Sequence, residues 1–375
     1  MPKPKELIIV QPYLPKYRMA FFSRLIEALE QSNIQCRVAA ADPAGGQANR
    51  RDAASAEWLI PIRHRQLHLG GRTLTLGGAA QSWAMADGVI VGHLGSSVDT
   101  YRALLDAKRP RRQLRVGLWG HIASYVAASH PLDAAAEKWQ LRQADHVFAY
   151  TPSGSAYAAA GGVPADRLTT VMNTVDTQTL ESARRSLTES AVAEYMSHHG
   201  LVQGRTLGYF GGLDESKRIS FLAAVLDRLW ATDPDIRLIV GGEGAQSGLL
   251  DASISRGQTI RIGYATPTEQ AMIGRAASAL LVPGRIGLIA VEALLLGIPI
   301  LTTDWPYHSA EAEYLTEGAS RFTSRNDIES YATLVHRFMQ SSAVGSASRR
   351  RPAWAYPSIE GMVANFSTGV KALLA

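Results

Sequence analysis

The stretch Leu280-Leu281-Val282-Pro283-Gly284-Arg285-Ile286-Gly287-Leu288-Ile289-Ala290-Val291-Glu292-Ala293-Leu294-Leu295-Leu296-Gly297-Ile298-Pro299-Ile300-Leu301-Thr302-Thr303 decides how this chain folds. An apolar run ends at Pro283 and a glycine-containing turn follows. Leu288–Leu296 then reads as a helix, and a β-branched run resumes over Pro299–Thr303. Strand, turn, helix, strand is a βαβ unit, whose two strands run parallel. The helix is apolar throughout except for one acid, Glu292. A carboxylate left unpaired amid Leu, Val and Ala is costly, so Glu292 is expected to have a dedicated partner. At the helix start, Gly287 leaves the backbone N–H groups and the positive dipole end open to an anion such as a phosphate.

The same rhythm extends in both directions. Upstream, strands are expected at Arg205–Gly211, Arg237–Gly241 and Thr259–Tyr264, with helices near Ile219–Trp230 and Glu269–Ala276. An earlier series runs through Glu6–Gln11, Gln35–Ala40, Trp58–Ile62, Gly88–His93, Leu114–Trp119, His146–Thr151 and Leu168–Met172. Helical spacing is clearest there at Arg18–Glu30 and Thr100–Ala107. Leu180–His199, rich in Ser, Glu and Ala, reads as a helix plus linker between the series. Ser341–Arg351 reads as a loop, and Ile359–Leu374 as an amphipathic helix after Pro352 and Pro357. The expected fold is α/β: two doubly wound, Rossmann-like domains with a cleft between them. The boundaries expected are 1–190 and 191–356, with 357–375 packing back on the first domain.

Composition narrows the function classes. The 375 residues are 46% hydrophobic and 19% charged, which suits globular domains. One cysteine, Cys36, rules out an internal disulfide framework and favours a reducing cytoplasm. The start of the chain leads into only about six apolar residues, short of a signal peptide, and no run reaches the ~18 of a membrane span. The net charge of +5 lies wholly in residues 1–200, which hold 22 basic and 17 acidic residues against 16 and 16 in the remainder. Its dense source is Lys108, Arg109, Arg111, Arg112 and Arg115, with no acid among them. Such a run suits an anionic membrane surface; without interleaved aromatics it does not suit nucleic acid. P-loop, HExxH, CxxC and GxSxG motifs are absent from the sequence. Gly241-Gly242-Glu243-Gly244 lacks the third glycine of a dinucleotide fingerprint, and Asp233-Pro234-Asp235 reads as turn chemistry rather than a metal site.

The decisive stretch, with the spacing around it, resembles glycosyltransferase family 4, retaining sugar transferases of GT-B fold. The likeness covers nearly the whole chain. Tyr17-Arg18-Met19-Ala20-Phe21-Phe22-Ser23-Arg24-Leu25 looks like the opening helix of a bacterial branch. Trp119-Gly120-His121, Tyr150-Thr151 and Asn173-Thr174-Val175-Asp176 follow. In the second half come Gly211-Gly212-Leu213 through Lys217-Arg218, then Gly241 to Gly244, Gly263, Gly287-Leu288 with Glu292-Ala293, and His308-Ser309-Ala310-Glu311.

The resemblance implies roles residue by residue. Glu292 would hydrogen-bond the donor ribose, and Lys217 would neutralise the leaving diphosphate together with the backbone at Gly287 and Leu288. Arg285, Ile286, Gly211, Gly242, Glu243, Gly244 and Tyr264 complete the implied donor site, the last four flanking the nucleobase. His121 would contact the transferred sugar, and Tyr17, Arg18, His93 and His121 are the implied acceptor residues. No metal or other cofactor is implied; the nucleotide sugar, a UDP- or GDP-sugar, is a substrate. The expected acceptor is a glycan or lipid-linked molecule for bacterial surface polysaccharide or glycolipid. The expected location is the cytoplasm, peripheral at the inner face of the membrane. Two positions depart from the pattern. The family's first glutamate is replaced by Gly284, and the arginine that partners the lysine is replaced by Gly212. Arg285 or Arg218 would supply the lost charge. Alternatives are a sugar-nucleotide 2-epimerase of GT-B fold, which would want more carboxylates than these departures leave, and a non-catalytic binding subunit.

Overall fold

The structure is a computed structural model describing residues 3–43, 53–69, 72–123, 131–341 and 353–375. All but the first residue of the Ser341–Arg351 stretch lies outside the described residues. The chain forms two compact units, residues 1–176 with 359–375, and residues 177–358.

In the first unit, strands β1 (Lys5–Gln11), β2 (Ile34–Ala40), β3 (Leu59–Pro61), β6 (Gly88–Gly92), β7 (Arg115–Gly120), β8 (His146–Ala149) and β9 (Leu168–Thr170) form one parallel sheet. Its order is β3-β2-β1-β6-β7-β8-β9. Between β3 and β6 the chain makes an antiparallel hairpin, β4 (His64–Leu69) with β5 (Arg72–Gly77), which the apolar periodicity does not announce. It is tied to the next loop by the Thr75 N–H, which donates to Ser96 C=O at 3.0 Å. Helix α1 (Met19–Glu30) buries Phe21, Phe22, Leu25 and Leu29, the face expected from its spacing. Helices α2 (Val98–Asp106), α3 (Pro131–Gln143) and α4 (Pro152–Ala160) follow β6, β7 and β8.

In the second unit, β10 (Thr206–Phe210), β11 (Arg237–Gly241), β12 (Thr259–Gly263), β13 (Leu280–Leu281), β14 (Ile300–Thr303) and β15 (Arg321–Ser324) form a parallel sheet of order β12-β11-β10-β13-β14-β15. Its helices are α5 (Thr177–Ser186), α6 (Glu189–His198), α7 (Ile219–Thr232), α8 (Asp251–Ser255), α9 (Pro267–Ala276), α10 (Ile289–Leu296) and α11 (Ile328–Gln340). In both sheets the strand order reverses once, between β1 and β6 and between β10 and β13. Open α/β sheets bind ligands at such switch points, outside the carboxyl ends of the strands.

The segment read as helix plus linker is two helices, and both pack on the second unit. Leu180 of α5 is buried in one core with Ala271, Ile273 and Leu294, and Glu189 of α6 pairs with Arg275. The division therefore falls at 176/177 rather than at 190/191. The last helix, α12 (Ile359–Leu374), returns to the first unit. Phe366 lies 5.4 Å from Phe21, 5.0 Å from Trp119 and 4.6 Å from Phe148, ring centre to ring centre. Among the described residues no helix is long and apolar enough to cross a membrane.

Candidate functional site

The switch point of the second sheet is built by the loops after β10 and β13. The loop after β10 runs Gly211-Gly212-Leu213-Asp214 into a turn over Glu215–Lys217, and the loop after β13 leads into α10. The two touch backbone to backbone. Arg285 N–H donates to Ser216 C=O at 2.9 Å, and Lys217 Nζ donates to Arg285 C=O at 2.7 Å. At Gly284 a Cβ would fall 2.4 Å from the carbonyl carbon of Lys217. Gly284 is therefore more than a missing carboxylate: the Lys217 backbone fills the space a side chain would start from.

A second pair of contacts holds the loop that begins α10. Ile286 N–H donates to His308 Nδ1 at 3.2 Å, and Ser309 N–H donates to Ile286 C=O at 2.8 Å. Because Nδ1 accepts, the His308 proton sits on Nε2 and is donated to Thr303 C=O at 2.9 Å. Burial pushes this imidazole below its ordinary range, helped by the charges of Arg321, Lys217 and Arg218 and opposed by the bond to Thr303. A neutral His308 thus fixes the approach to the helix end. The first turn of a helix leaves its N–H groups without intrahelical partners, so this end offers donors and a positive dipole.

Glu292 projects from the same helix. Its Oε1 accepts from Gln270 Nε2 at 3.2 Å, so the dedicated partner expected from the sequence is an amide on α9. Burial pushes the carboxyl up to about 7, against the pull of the Gln270 hydrogen bond and the Lys217 charge. The arrangement places an ammonium, a helix N-terminus and a carboxyl held above its ordinary range at one set of strand ends.

Of the two candidates for the missing charge, Arg218 is committed elsewhere. It adopts a left-handed backbone (φ 55°), and its Nη1 donates to Pro283 C=O at 3.2 Å, Thr303 Oγ1 at 3.4 Å and Asn326 Oδ1 at 2.5 Å. Its guanidinium stacks 4.1 Å over Phe221. That geometry ties β13, β14 and the loop after β15 together and leaves Arg285 as the remaining candidate. On the other side of β10, Gly242 and Gly244 serve the backbone: a Cβ on either would fall within 2.2 Å of the Gly211 or Leu213 carbonyl oxygen. Glu243 is exposed, and Tyr264 at the end of β12 is 71% exposed, an uncovered ring two strands out from the switch point.

Two family descriptions match the sequence: "Glycosyltransferase Family 4" over residues 21–179 and "Glycosyl transferases group 1" over residues 204–341. The chain belongs to glycosyltransferase family 4. It is 25% identical over 264 residues to a 2-deoxystreptamine glucosyltransferase from Streptomyces kanamyceticus, a match covering 66% of this chain and 62% of that relative's length. Its fold resembles UDP-GlcNAc 2-epimerase from Neisseria meningitidis bound to UDP-GlcNAc (TM-score 0.67, 12% identity, 98% of this chain and 100% of that one). It also resembles a glycosyltransferase from Rickettsia africae (0.64, 10%, 99% and 99%) and Anabaena HepE in complex with UDP and glucose (0.60, 13%, 98% and 100%). These likenesses establish the GT-B fold of the family 4 chain.

The implied acceptor residues fall at several places in the first unit. His121 follows β7 at its carboxyl end, partly exposed, its ring 4.6 Å from that of Tyr150. Tyr17 is exposed, but Arg18 is only 3% exposed and sits over the rings of Tyr17, Trp119 and Tyr150 at 5.1–5.6 Å. His93 is buried with Nε2 donating to Glu137 C=O at 3.0 Å, so it anchors α3; burial lowers its basicity. The basic run changes most. Folding brings acids the linear stretch lacks: Arg109 pairs with Asp106 and Arg115 with Asp145, each at 3.2 Å. Arg112 donates to the Trp83 and Ala86 carbonyls, while Lys108 bonds Gln143 and lies over Trp139. Lys108, Arg111 and Arg112 keep a charge without a carboxylate partner among the described residues, worth about 3 kcal/mol together at an anionic surface. Asp233 and Asp235 pair with Arg205, and no group of three metal-ligating side chains occurs among the described residues.

Proposed function

We propose that the chain transfers a sugar from a nucleotide-sugar donor to a saccharide acceptor, with retention at the anomeric carbon. The observation that carries this reading is the meeting of Lys217, the start of α10 and Glu292 at the switch point of the second sheet. The donor's diphosphate would lie against the helix N-terminus, with Lys217 neutralising charge as the sugar–phosphate bond breaks. Arg285 would take the place of the arginine absent at Gly212. Glu292 would accept a hydrogen bond from the donor ribose, and Tyr264 offers a face to the nucleobase. Similar folds that hold UDP or UDP-GlcNAc support a uridine nucleotide. Retaining transfer of this type requires leaving-group stabilisation and a tightly placed acceptor hydroxyl rather than a strong nucleophile. The acceptor is a saccharide, free or lipid-linked, of the kind used in surface glycan assembly, with His121 on its path.

Incubation with a panel of UDP-, GDP- and dTDP-sugars, read by thermal stabilisation and donor hydrolysis, tests the reading. At least one donor should stabilise the protein, and no response to any of them overturns it. Interconversion of UDP-GlcNAc without acceptor would instead mark a 2-epimerase.

A further inference from the structure

The switch point of the first sheet holds a feature that the donor chemistry does not use. Between the carboxyl ends of β1 and β6 lies a cavity of about 150 Å³, lined by residues including Gln11, Asp42, His64, Thr75 and Asp99. Three separate pieces of chain build it: the ends of the central strands, the β4–β5 hairpin, and the first turn of α2. Asp99 is 4% exposed, and its Oδ1 has no hydrogen-bond partner among the described residues. Its Oδ2 lies 3.6 Å from His64 Nε2, which likewise lacks a hydrogen bond. The carboxylate fits only because Gly77 has no side chain: a Cβ there would lie 1.5 Å from Oδ2.

A buried carboxylate oxygen without a donor is rare in a native protein and costly to keep. Asp99 stabilises the α2 N-terminus by its charge, but that role does not supply a proton to Oδ1. Among the described residues the lining contains two carboxylates, Asp42 and Asp99, and no lysine or arginine. A phosphate or carboxylate ligand would meet like charge from these two carboxylates. The volume is below the ~300–1,000 Å³ typical of drug-sized ligands, so it suits one ring rather than a chain.

We infer that this cavity recognises a single polyol ring bearing an amine, the ammonium donating to Asp99 Oδ1 while ring hydroxyls meet Gln11 and Thr75. The inference names the acceptor class for the transfer proposed above and rests on that reading. His64 and the β4–β5 hairpin act as positioning elements that hold Asp99 in place.

The test titrates the full chain with glucosamine, glucose and glucose 6-phosphate, one cationic, one neutral and one anionic ring, by calorimetry and ligand-observed NMR. Glucosamine should bind at least about tenfold tighter than glucose, the usual gain of a hydrogen bond to a charged group, and glucose 6-phosphate should bind weakest. Asp99→Asn should abolish the amine preference while leaving UDP affinity and the circular dichroism spectrum unchanged; Asp42→Asn, on the rim, should reduce it. Equal binding of glucosamine and glucose, tighter binding of glucose 6-phosphate, or an amine preference that survives in folded Asp99→Asn overturns the inference, as does a cavity that takes only water. If Asp99→Asn fails to fold, the wild-type series and Asp42→Asn decide. UDP binding reports on the other unit, so absence of an amine preference in the wild-type chain with UDP binding intact rejects this inference alone, and an amine preference without UDP binding rejects the proposed transfer.

Discussion

Glu292→Gln should stabilise the second unit at alkaline pH. In the folded chain burial raises this carboxyl from 4.5 to about 7. The folded state therefore holds a proton that the unfolded chain has released. Stability from the group is fully present below about pH 4.5 and declines as pH rises through about 7. At 1.36 kcal/mol per tenfold change in proton affinity, the gap amounts to about 3 kcal/mol at pH 8, and under about 1 kcal/mol at pH 5. Glutamine keeps the shape and the contact with Gln270 while removing the charge. Hydrogen–deuterium exchange of Ile289–Leu296, measured in wild type and variant at both pH values, reads this locally. The variant should be more protected by about 2–3 kcal/mol at pH 8 and nearly equal at pH 5. A constant gap between the two proteins, or a variant less stable at pH 8, refutes the account of Glu292 as a carboxyl whose desolvation holds its proton. The same variant should lose donor turnover, so that a gain in stability and a loss of function arise from one atom change.

Other outcomes follow from the same geometry. Donor hydroxyls that bond the Glu292 anion would expel its proton, so UDP-sugar affinity should rise between pH 6 and pH 8 with proton release by calorimetry in two buffers, and Glu292→Gln should flatten that rise. Lys217→Gln should weaken donor turnover roughly 10- to 150-fold, the range for removing a charge-assisted hydrogen bond, with the urea midpoint little changed. Gly284→Glu, which restores the family's usual residue, should not restore a sugar contact; with the Lys217 backbone 2.4 Å from the new Cβ, it should lower the urea midpoint and donor affinity together. Phe366→Ala should cost the first unit about 3–5 kcal/mol, seen as an early transition in thermal unfolding, because its ring packs on Phe21, Trp119 and Phe148.

Much of this architecture was legible without coordinates. Strand positions at Glu6–Gln11, Arg237–Gly241 and Pro299–Thr303 fall within a residue or so of those observed, because side-chain alternation and helical spacing are local properties. The return of α12 to the first unit was also expected, and Glu292 stood out as an acid in an apolar helix. Boundaries are less legible: Leu180–His199 reads as a helix plus linker by composition, and the packing of Leu180, Tyr195 and Met196 on the second core assigns it to the second unit.

The candidate sites divide in the same way. Sequence by itself determined the α/β class and the family, and it singled out Lys217, Gly287 and Glu292, residues of the loops and helix at the second switch point. Tertiary structure decided what those residues do to one another. It brought Gln270 to Glu292, His308 to Ile286, and the Lys217 backbone into the space where Gly284 lacks a side chain. It paired two of the five bases of the basic run with Asp106 and Asp145, and it enclosed Asp99 beneath Gly77. The physical reason is that periodicity and turn chemistry act between neighbours in the chain, whereas burial and charge pairing act between neighbours in space, which no local pattern records.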